Sequence, residues 1–421
     1  MIGAVLTDLA RRVDHADLVG TTDHTLLAVV AAGGSGLGED GVDTIQVRVA
    51  AGGRTGWAGG AGAEADAVGA AAIRSAAVGD PARLFFPAAA DVPVVETRSP
   101  AAAALDAPGV ADLARQLYRL AGGRDRIVET WVERSVGSVS VANTRGVQTS
   151  YDTSLVGFGI EARAARGGPV VRLHQAAAGV PTTADLARLA DDVIRALEPP
   201  VIEAEGTEVT RVWFAPRAVR ALLTPVLAGL IGERWLAGRD TRPALDARIT
   251  IVDDPLAAGR PGSRPICDDG VPSRRLTLVD RGIARQGILD LVTGSRRLLP
   301  ATGHGWRRGM AAGRTGFTNV RLAAGSAESA EIAREAGDGV LVLDAAFGPA
   351  PDPATGVFRM PVPWAYRLAN GVVAGRLDGG VLVGDAFELL RRVVAVGRDT
   401  EWIGACEAPS LVVDGVRLEL G

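Results

Sequence analysis

The strongest constraint on the fold is a succession of short apolar segments with the two-residue period of β-strands. Ile45, Val47 and Val49 alternate with Gln46 and Arg48, a pattern typical of a strand with one buried face. Segments of this kind, bounded by Gly, Asn or Arg turns, predict extensive sheet structure. Five of them follow one another at residues 127–132, 138–143, 147–155, 159–165 and 170–175.

Three structural units are predicted along the 421 residues, which is a length that favours two or three domains. They cover residues 1–80, 81–205 and 206–421. We predict an α+β fold, with an N-terminal α/β region and a C-terminal, largely antiparallel β-sheet domain with flanking helices. In the first two units we predict strands at 25–30 and 43–50, a flexible connection at 33–38, a turn at 52–56, and helices at 65–77, 110–120 and 183–197.

In the third unit, strands outnumber helices. Helices are predicted at 215–235, 288–299, 327–336 and 385–394. Strands are predicted at 208–214, 249–252, 275–279, 282–286, 320–323, 340–343, 355–361, 365–368, 371–375, 410–413 and 416–420.

Composition argues against several classes of function. The net charge of −4 has no accompanying basic cluster, so we expect no nucleic-acid partner. Cys267 and Cys406 have neither metal-knuckle nor disulfide-framework spacing. The N-terminus does not have the pattern of a signal peptide, and no run of 18 uncharged apolar residues occurs. We therefore expect a cytoplasmic protein with no membrane partner.

The histidines do not have the spacing of a helical zinc site. No two of His15, His24, His174 and His304 are separated by three to five residues, and zinc requires three or four convergent ligands. His304 lies in the Gly-rich loop 302–306, which is of a kind that can line a cleft. His304 is therefore a candidate site residue.

An acid pair, Asp268 and Asp269, precedes Gly270. Two interpretations stay open: a loop beside a ligand groove, or a turn in which Gly270 has a positive φ.

Two interpretations also stay open for Arg314. Its side chain faces a substrate or partner, or it forms an exposed salt bridge with a carboxylate. Cys406 has no histidine close in sequence to act as its base, which favours a buried apolar role.

Six segments in order resemble the TldD/PmbA family of peptidases. They cover nearly the whole chain: 43–49, the Asn-Thr-Arg-Gly turn in 141–147, the Asp-Asp-Gly loop in 267–272, the Asn-containing strand 315–325, the Thr-Gly-Val-Phe strand in 355–360, and Asn370-Gly371. In metal-bearing members a helix carries His-Glu-x-x-x-His. Thr224, Pro225 and Gly229 occupy the matching positions here.

The resemblance implies a PmbA/TldE-like subunit without metal ligands of its own. The family's metal-binding cysteine lies in a Cys-Gly-Lys-x-Gly-Gln segment, which the surroundings of Cys406 do not match. A TldD-like metallopeptidase subunit that holds the zinc is the implied partner. The pair would cleave unfolded or leader peptides as a heterodimer. No cofactor and no catalytic residue is expected in this chain. The peptide-groove candidates are Asp268, Asp269, Gly270, His304 and Arg314.

Two alternatives stay open. A self-sufficient homodimeric relative would carry out a tailoring or peptidase reaction with other groups, for which Asp268, Asp269, His304 and Cys406 are the candidates. A non-enzymatic scaffold would bind extended peptides without any catalytic subunit.

Overall fold

A computed structural model describes most of the chain. The described residues are 2–81, 83–123, 125–165, 170–238, 244–308, 313–345, 355–362, 364–377 and 379–420. Within them, the strands form a six-stranded sheet, a thirteen-stranded sheet and a two-stranded ribbon. Residues 2–197 carry the first sheet and its helices, which we call the N-terminal half, and residues 201–420 form the C-terminal half.

The N-terminal sheet is antiparallel throughout, in the order β3-β2-β1-β4-β5-β6. Its strands are β1 (His15–Ala31), β2 (Gly34–Ala51), β3 (Arg54–Ala61), β4 (Arg126–Asn143), β5 (Gln148–Ala164) and β6 (Val171–Ala177). The helices are α1 (Ile2–Leu9), α2 (Ala65–Val78), α3 (Pro100–Ala104), α4 (Ala107–Ala121) and α5 (Thr183–Leu197), with a 3-10 turn at Gly62–Glu64.

Two helix pairs bury the apolar side chains of this sheet. Val68 and Ala72 of α2 join the core that contains the alternating Ile45, Val47 and Val49. Helices α4 and α5 pack over β4, β5 and β6 in a second core. Helix α5 forms where predicted because Thr182 and Asp185 make a reciprocal capping box at its start.

The C-terminal sheet is largely antiparallel, with three parallel strand pairs among the described residues. Its strands are β7 (Val201–Ile202), β8 (Gly206–Phe214), β9 (Ile251–Asp253), β10 (Leu276–Asp280), β11 (Ile283–Ala284), β14 (Val320–Leu322), β15 (Val340–Asp344), β16 (Val357–Pro361), β17 (Trp364–Ala369), β18 (Val372–Leu377), β19 (Val381–Asp385), β20 (Val393–Ile403) and β21 (Cys406–Leu420). The ribbon is β12 (Gly305–Trp306) with β13 (Arg314–Thr315).

The helices of this half are short apart from the first. They are α6 (Pro216–Gly229), α7 (Gly232–Gly238), α8 (Leu291–Arg296), α9 (Ser329–Ala336) and α10 (Ala386–Leu389). The α+β fold class is therefore confirmed, with the antiparallel sheet and flanking helices in the C-terminal half. No helix in the described part of the chain has the length and apolar character to cross a membrane.

Strand lengths in the N-terminal half were underestimated. The five segments predicted between 127 and 175 are three strands, because glycines at presumed turns lie inside β5. A Cβ on Gly159 would lie 2.6 Å from the ring of Trp131, its cross-strand partner. These glycines leave room for an aromatic ring and do not interrupt the strand. The predicted flexible connection at 33–38 is also mostly strand, since β2 begins at Gly34.

Helix boundaries in the C-terminal half also required correction. The predicted helix 215–235 is divided between α6 and α7, with Gly232 at a φ of 53°. The predicted helix 385–394 ends after one turn, and the following Val-rich stretch pairs as β20 with β21. Strand pairing there overrides a helical apolar pattern. Two strands predicted after residue 409 are one, with a bulge between Val413 and Val416.

The sheets show how the predicted units are connected. Strands β1–β3 and β4–β6 lie on either side of residue 80 and belong to one sheet. Strand β7 pairs with β18, so the C-terminal sheet begins at residue 201.

We predict that Tyr366→Phe lowers the free energy of unfolding by about 1–2 kcal/mol. The Tyr366 hydroxyl of β17 donates to Ala196 O, a carbonyl in the last turn of α5, at 2.8 Å, and Tyr366 is buried. Phenylalanine would leave that carbonyl without a partner. The measurement is urea denaturation. Tyr118→Phe on α4 is the matched control, since its half-buried side chain has no hydrogen bond to another described residue. Equal loss in both variants would contradict the prediction.

Candidate functional site

The predicted acid pair lies in a tight, buried turn. The N–H of Gly270 donates to Cys267 O at 2.9 Å, and the N–H of Cys267 donates to Val271 O at 3.0 Å. Gly270 has a φ of 79°, a left-handed conformation that glycine adopts without steric cost. Asp268 and Asp269 are 0% and 2% exposed. The backbone is therefore that of the turn interpretation, and both carboxylates are inside the protein.

Asp269 belongs to a buried group that we call the charged quartet, together with Asp17, Arg48 and Arg307. Asp17 and Arg48 lie opposite each other on β1 and β2, and Arg48 Nε donates to Asp17 Oδ1 at 3.2 Å. Arg48 Nη2 donates to Asp269 Oδ1 at 2.9 Å, and Arg307 Nη1 lies 2.7 Å from Asp17 Oδ1. The quartet therefore joins the N-terminal sheet to two loops of the C-terminal half.

The members of the quartet perturb one another's pKa. Burial would by itself raise the pKa of Asp269, but attraction to Arg48 and Arg307 outweighs burial and holds that pKa below its usual value. Burial opposes the charge on Arg48, yet Asp17 and Asp269 together raise its pKa. Burial lowers the pKa of Arg307, and repulsion from Arg48 adds to this despite the attraction of Asp17. Arg307 is therefore the less well compensated of the two cations.

Asp268 fixes the loop that carries Arg307. Its Oδ2 accepts from the N–H of Arg307 at 2.7 Å and lies 3.5 Å from Arg308 Nε. Arg308 Nη2 in turn donates to the Tyr151 hydroxyl at 2.8 Å. Burial raises the pKa of Tyr151, against the attraction of Arg308. Asp268 thus orients neighbouring side chains from behind the quartet.

His304 has hydrogen-bond partners on both ring nitrogens. Its Nε2 lies 2.8 Å from Asp253 Oδ2, and its Nδ1 lies 2.9 Å from Thr302 Oγ1. Asp253 also accepts from the N–H of Thr318 at 2.8 Å. His304 is 1% exposed and Asp253 is 0% exposed. This arrangement ties the loop before β12 to strand β9.

A cleft of about 510 Å³ opens beside the quartet, between the N-terminal sheet and loops of the C-terminal half. Its volume lies within the ~300–1,000 Å³ typical of small-ligand sites. Asp269 and Arg314 line the cleft, whereas Asp268, Gly270 and His304 lie behind its wall. The cleft is also lined by the side chains of Arg48, Trp57, Asp290, Arg296, Trp306 and Arg307.

The ribbon β12–β13 positions one wall of the cleft. Trp306 and Arg314 are direct cross-strand partners, and the Trp306 indole N–H donates to Gly316 O at 3.0 Å. The guanidinium carbons of Arg264 and Arg308 lie 4.1 Å and 4.8 Å from the centre of the Trp306 ring. Cation–π contacts of this kind hold the ring in a fixed position.

Trp306 and the other three members of the quartet, Asp17, Arg48 and Arg307, were not identified from the sequence. Arg48 occupies a polar position of an alternating strand, where one face is expected to meet solvent, yet Gln46 and Arg48 are 3% and 8% exposed. The C-terminal loops cover that face. Trp306 had a usable signal, because it is the last residue of the Gly-rich loop 302–306 that suggested His304.

Helix α6 contains Thr224, Pro225 and Gly229, which the sequence resemblance places at the metal-binding positions. The Thr224 hydroxyl donates to Arg220 O at 3.0 Å, within the helix. Pro225 lies buried in the helix interior and has no backbone donor. Gly229 has no side chain. Across the described ranges, no three His, Cys, Asp or Glu side chains form a group suited to hold a metal.

Neither cysteine is placed as a reactive thiol. Both are free and buried. Burial raises the pKa of Cys267 to about 11, and Asp269 adds to this effect. Burial likewise raises the pKa of Cys406 to about 11, against the attraction of Arg220. A protonated thiol is a weak nucleophile and a poor metal ligand, so the buried apolar role fits both residues.

A second polar cluster lies where the start of α6 meets the N-terminal half. Arg217 Nη2 donates to Glu401 Oε1 at 2.6 Å, and its Nη1 donates to His174 O at 3.0 Å. Burial raises the pKa of Glu401 and of Asp192, although Arg217 attracts both carboxylates. Burial lowers the pKa of His174, and Arg220 and Arg217 act in the same direction.

We predict that Asp269→Asn lowers the free energy of unfolding by about 3 kcal/mol at pH 7, because the neutral amide leaves two buried guanidiniums with one carboxylate between them. The folded pKa of Asp269 lies below the unfolded one. Its contribution is therefore complete above about pH 4 and is lost as the pH falls through the folded pKa.

Chemical denaturation between pH 3 and pH 7 is the measurement. Glu233→Gln is the matched control, since the Glu233–Arg297 pair is exposed and exposed ion pairs contribute little to stability. A loss at Asp269 as small as that at Glu233 would show that the quartet does not hold the halves together.

We predict the opposite pH dependence for Asp192→Asn. Burial raises the pKa of Asp192, so the folded state resists its ionisation. The penalty is absent below the unfolded pKa of about 4 and grows as the pH rises through the folded pKa. The variant should therefore be more stable than the parent at pH 7 and equal to it near pH 3. Asp112→Asn, at a position 73% exposed, should show little change, and a loss of stability in Asp192→Asn at pH 7 would refute the predicted burial penalty.

Comparison with known proteins agrees with the sequence resemblance. Residues 207–419 match the family model described as the PmbA/TldA metallopeptidase C-terminal domain, which is just over half of the chain. A metalloprotease of Archaeoglobus fulgidus is 27% identical over 173 residues, 41% of this chain and 40% of that protein. A metalloprotease TldD homologue of Haemophilus influenzae is 27% identical over 161 residues, 37% of this chain and 33% of that protein. These matches thus span two fifths or less of the curated relatives.

Solved structures resemble the whole chain. TldE from Thermococcus kodakarensis superposes with a TM-score of 0.88 at 16% identity and covers 99% of both chains. A candidate modulator of DNA gyrase from Bacteroides thetaiotaomicron superposes with a TM-score of 0.85 at 15% identity, covering 100% of this chain and 98% of the other. At such identities the likeness establishes the fold alone. Together with the family match over the C-terminal half, these findings show that the chain belongs to the PmbA/TldD metallopeptidase family.

Proposed function

We propose that this chain is a PmbA/TldE-like subunit that pairs with a TldD-like metallopeptidase and has no metal centre of its own. The heterodimer would cleave unfolded or leader peptides, with the zinc and the catalytic groups supplied by the partner. The single observation that carries the proposal is the chemistry of α6. Thr224, Pro225 and Gly229 occupy the positions where metal-bearing relatives are expected to have two histidines and a glutamate.

The local structure of α6 supports this division of roles. Zinc in a peptidase needs imidazole or carboxylate ligands and a carboxylate base. Thr224 instead directs its hydroxyl to the backbone of its own helix, and the Pro225 ring is buried. No change of rotamer would turn either residue into the missing ligands.

The same proposal assigns this chain a substrate-holding role. The floor of the cleft is held by the ion pairs of the quartet and by the contacts of Asp268. Extended peptides bind proteins through main-chain hydrogen bonds together with side-chain contacts. We place the complex in the cytoplasm, where the buried free thiols of Cys267 and Cys406 suit a reducing compartment.

The alternative of a self-sufficient enzyme would use Asp268, Asp269, His304 or Cys406. Asp268 and Asp269 form ion pairs inside the protein, and His304 lies against Asp253. The protonated Cys406 thiol lacks the electropositive, accessible setting of reactive cysteines. A capture experiment distinguishes this alternative and the peptide-binding scaffold from the proposed subunit.

We predict that the tagged chain, expressed in its own host, captures a metallopeptidase subunit with a His-Glu-x-x-x-His helix. The captured pair should contain stoichiometric zinc and cleave an unfolded peptide, while the isolated chain should do neither. The measurements are mass spectrometry of the captured protein, metal analysis and peptide hydrolysis with and without a chelator.

Two substitutions serve as controls. Thr224→Ala in this chain should leave hydrolysis by the pair unchanged, because Thr224 bonds only within α6. Substitution of the first histidine in the partner's His-Glu-x-x-x-His helix should abolish peptide hydrolysis by the pair. Chelator-sensitive cleavage by the isolated chain would establish the self-sufficient enzyme instead. Peptide binding without any captured peptidase would favour the scaffold.

A further inference from the structure

The interdomain cleft combines aromatic walls with arginines at its floor and rim. Trp57 and Trp306 both line it, and Trp57 is 43% exposed. Arg48 and Arg307 belong to the floor, and Arg296 and Arg314 also line the cleft. Exposed aromatic surface beside fixed cations is typical of a site for a ligand with an apolar part and an anionic group.

The aspartates of the cleft are already engaged. Asp269 pairs with Arg48, and Asp290 accepts from the N–H of Thr293 at 2.7 Å and from the Thr315 hydroxyl at 2.8 Å. Arg296 lies 3.6 Å from Asp80. Arg314 differs from the other cations of the cleft, because its exposed guanidinium has no ion pair or hydrogen bond to any residue that the structure describes.

Arg307 provides a second donor that is not satisfied. Its Nη1 pairs with Asp17, but its buried Nη2 has no hydrogen-bond partner among the described residues. A buried donor without a partner destabilises the folded protein. An acceptor that reached this nitrogen would remove that penalty. Burial and repulsion from Arg48 lower the Arg307 pKa, so a nearby anion would also stabilise its charge.

The chain brings Arg314 next to Arg307. Gly313, the residue before Arg314, packs so closely on the Arg307 side chain that an added Cβ would lie 2.8 Å from Arg307 Cγ. The ribbon pairs Arg314 with Trp306, the residue before Arg307. The rim cation, the unsatisfied donor and the aromatic wall are therefore adjacent parts of one surface.

We propose that this cleft binds a carboxylate of an extended peptide, with Arg314 and Arg307 holding the carboxylate and Trp306 and Trp57 contacting the neighbouring apolar side chain. The carboxylate comes from the peptide's C-terminus or from an acidic side chain. The inference rests on the proposed peptide-handling function and names the feature of the substrate that this subunit recognises.

A carboxylate fits this site better than a phosphate group. Guanidinium groups bind both through paired N–H donors, so the charges around the site decide between them. Asp290 and Asp80 also line the cleft, and their negative charges would repel a dianion more strongly than a monoanion.

The test is calorimetric titration of the isolated full-length chain with three acetylated tetrapeptides. The first is Ala-Ala-Leu-Ala with a free C-terminal carboxylate, the second is its C-terminal amide, and the third is the amide of Ala-Asp-Leu-Ala. We expect at least one of the two charged peptides to bind about tenfold more tightly than the neutral amide, an amount typical of one charge-assisted hydrogen bond. The charged peptide that binds more tightly identifies the source of the carboxylate.

Arg314→Gln should abolish this preference, and the fold should be kept because Arg314 is exposed. Arg119→Gln on α4, also exposed and outside the cleft, should retain it. Equal affinities for all three peptides, an absence of binding, or an unchanged preference in Arg314→Gln would overturn the inference. The outcome does not depend on the capture of a metallopeptidase. If a metallopeptidase is captured but no carboxylate preference is found, only the carboxylate site is refuted. If the preference is found but no metallopeptidase is captured, only the subunit assignment is refuted.

Discussion

The contact between the N-terminal and C-terminal halves depends on the charged quartet of Asp17, Arg48, Asp269 and Arg307. Burial of four charges is costly, and such groups often contribute less stability than apolar residues of the same size. Their geometry is nevertheless demanding, since each guanidinium must meet a carboxylate that comes from a distant part of the chain. The quartet therefore connects the two halves through ion pairs between defined atoms. The position of the cleft follows directly from it.

The fold was predictable where apolar periodicity reports burial on one face. The capped helix α5 and the hairpin of β2 and β3 are examples. The sequence prediction of secondary structure was wrong where a segment's structure depends on contacts with another element of the fold. Gly159 lies within a strand because the Trp131 ring fills its missing side-chain space. The stretch after α10 is strand because β21 is available to pair with it. Neither partner is visible in a local window of sequence.

The site was predictable only at residues that carry a local motif. Asp269 stands in a recognisable acid–glycine turn, and Arg314 directly precedes the strand that resembles the family. Arg48 was not predicted as a site residue, because its position in an alternating strand predicts a solvent-exposed side chain. In the structure, a loop more than 200 residues away in sequence covers it. Pairings over such separations arise from tertiary structure, which periodicity alone does not encode.

Substrate holding and bond cleavage make different demands on a protein, and in the proposed function this chain would meet only the first. Holding requires fixed donors and apolar surface, which the quartet, the Asp268 contacts and the Trp306 ribbon provide. Cleavage by zinc requires ligands on α6, where Thr224 and Pro225 offer none. The two features lie on different elements, so the loss of metal ligands leaves the cleft intact. In the proposed heterodimer, recognition and chemistry would therefore lie in different chains.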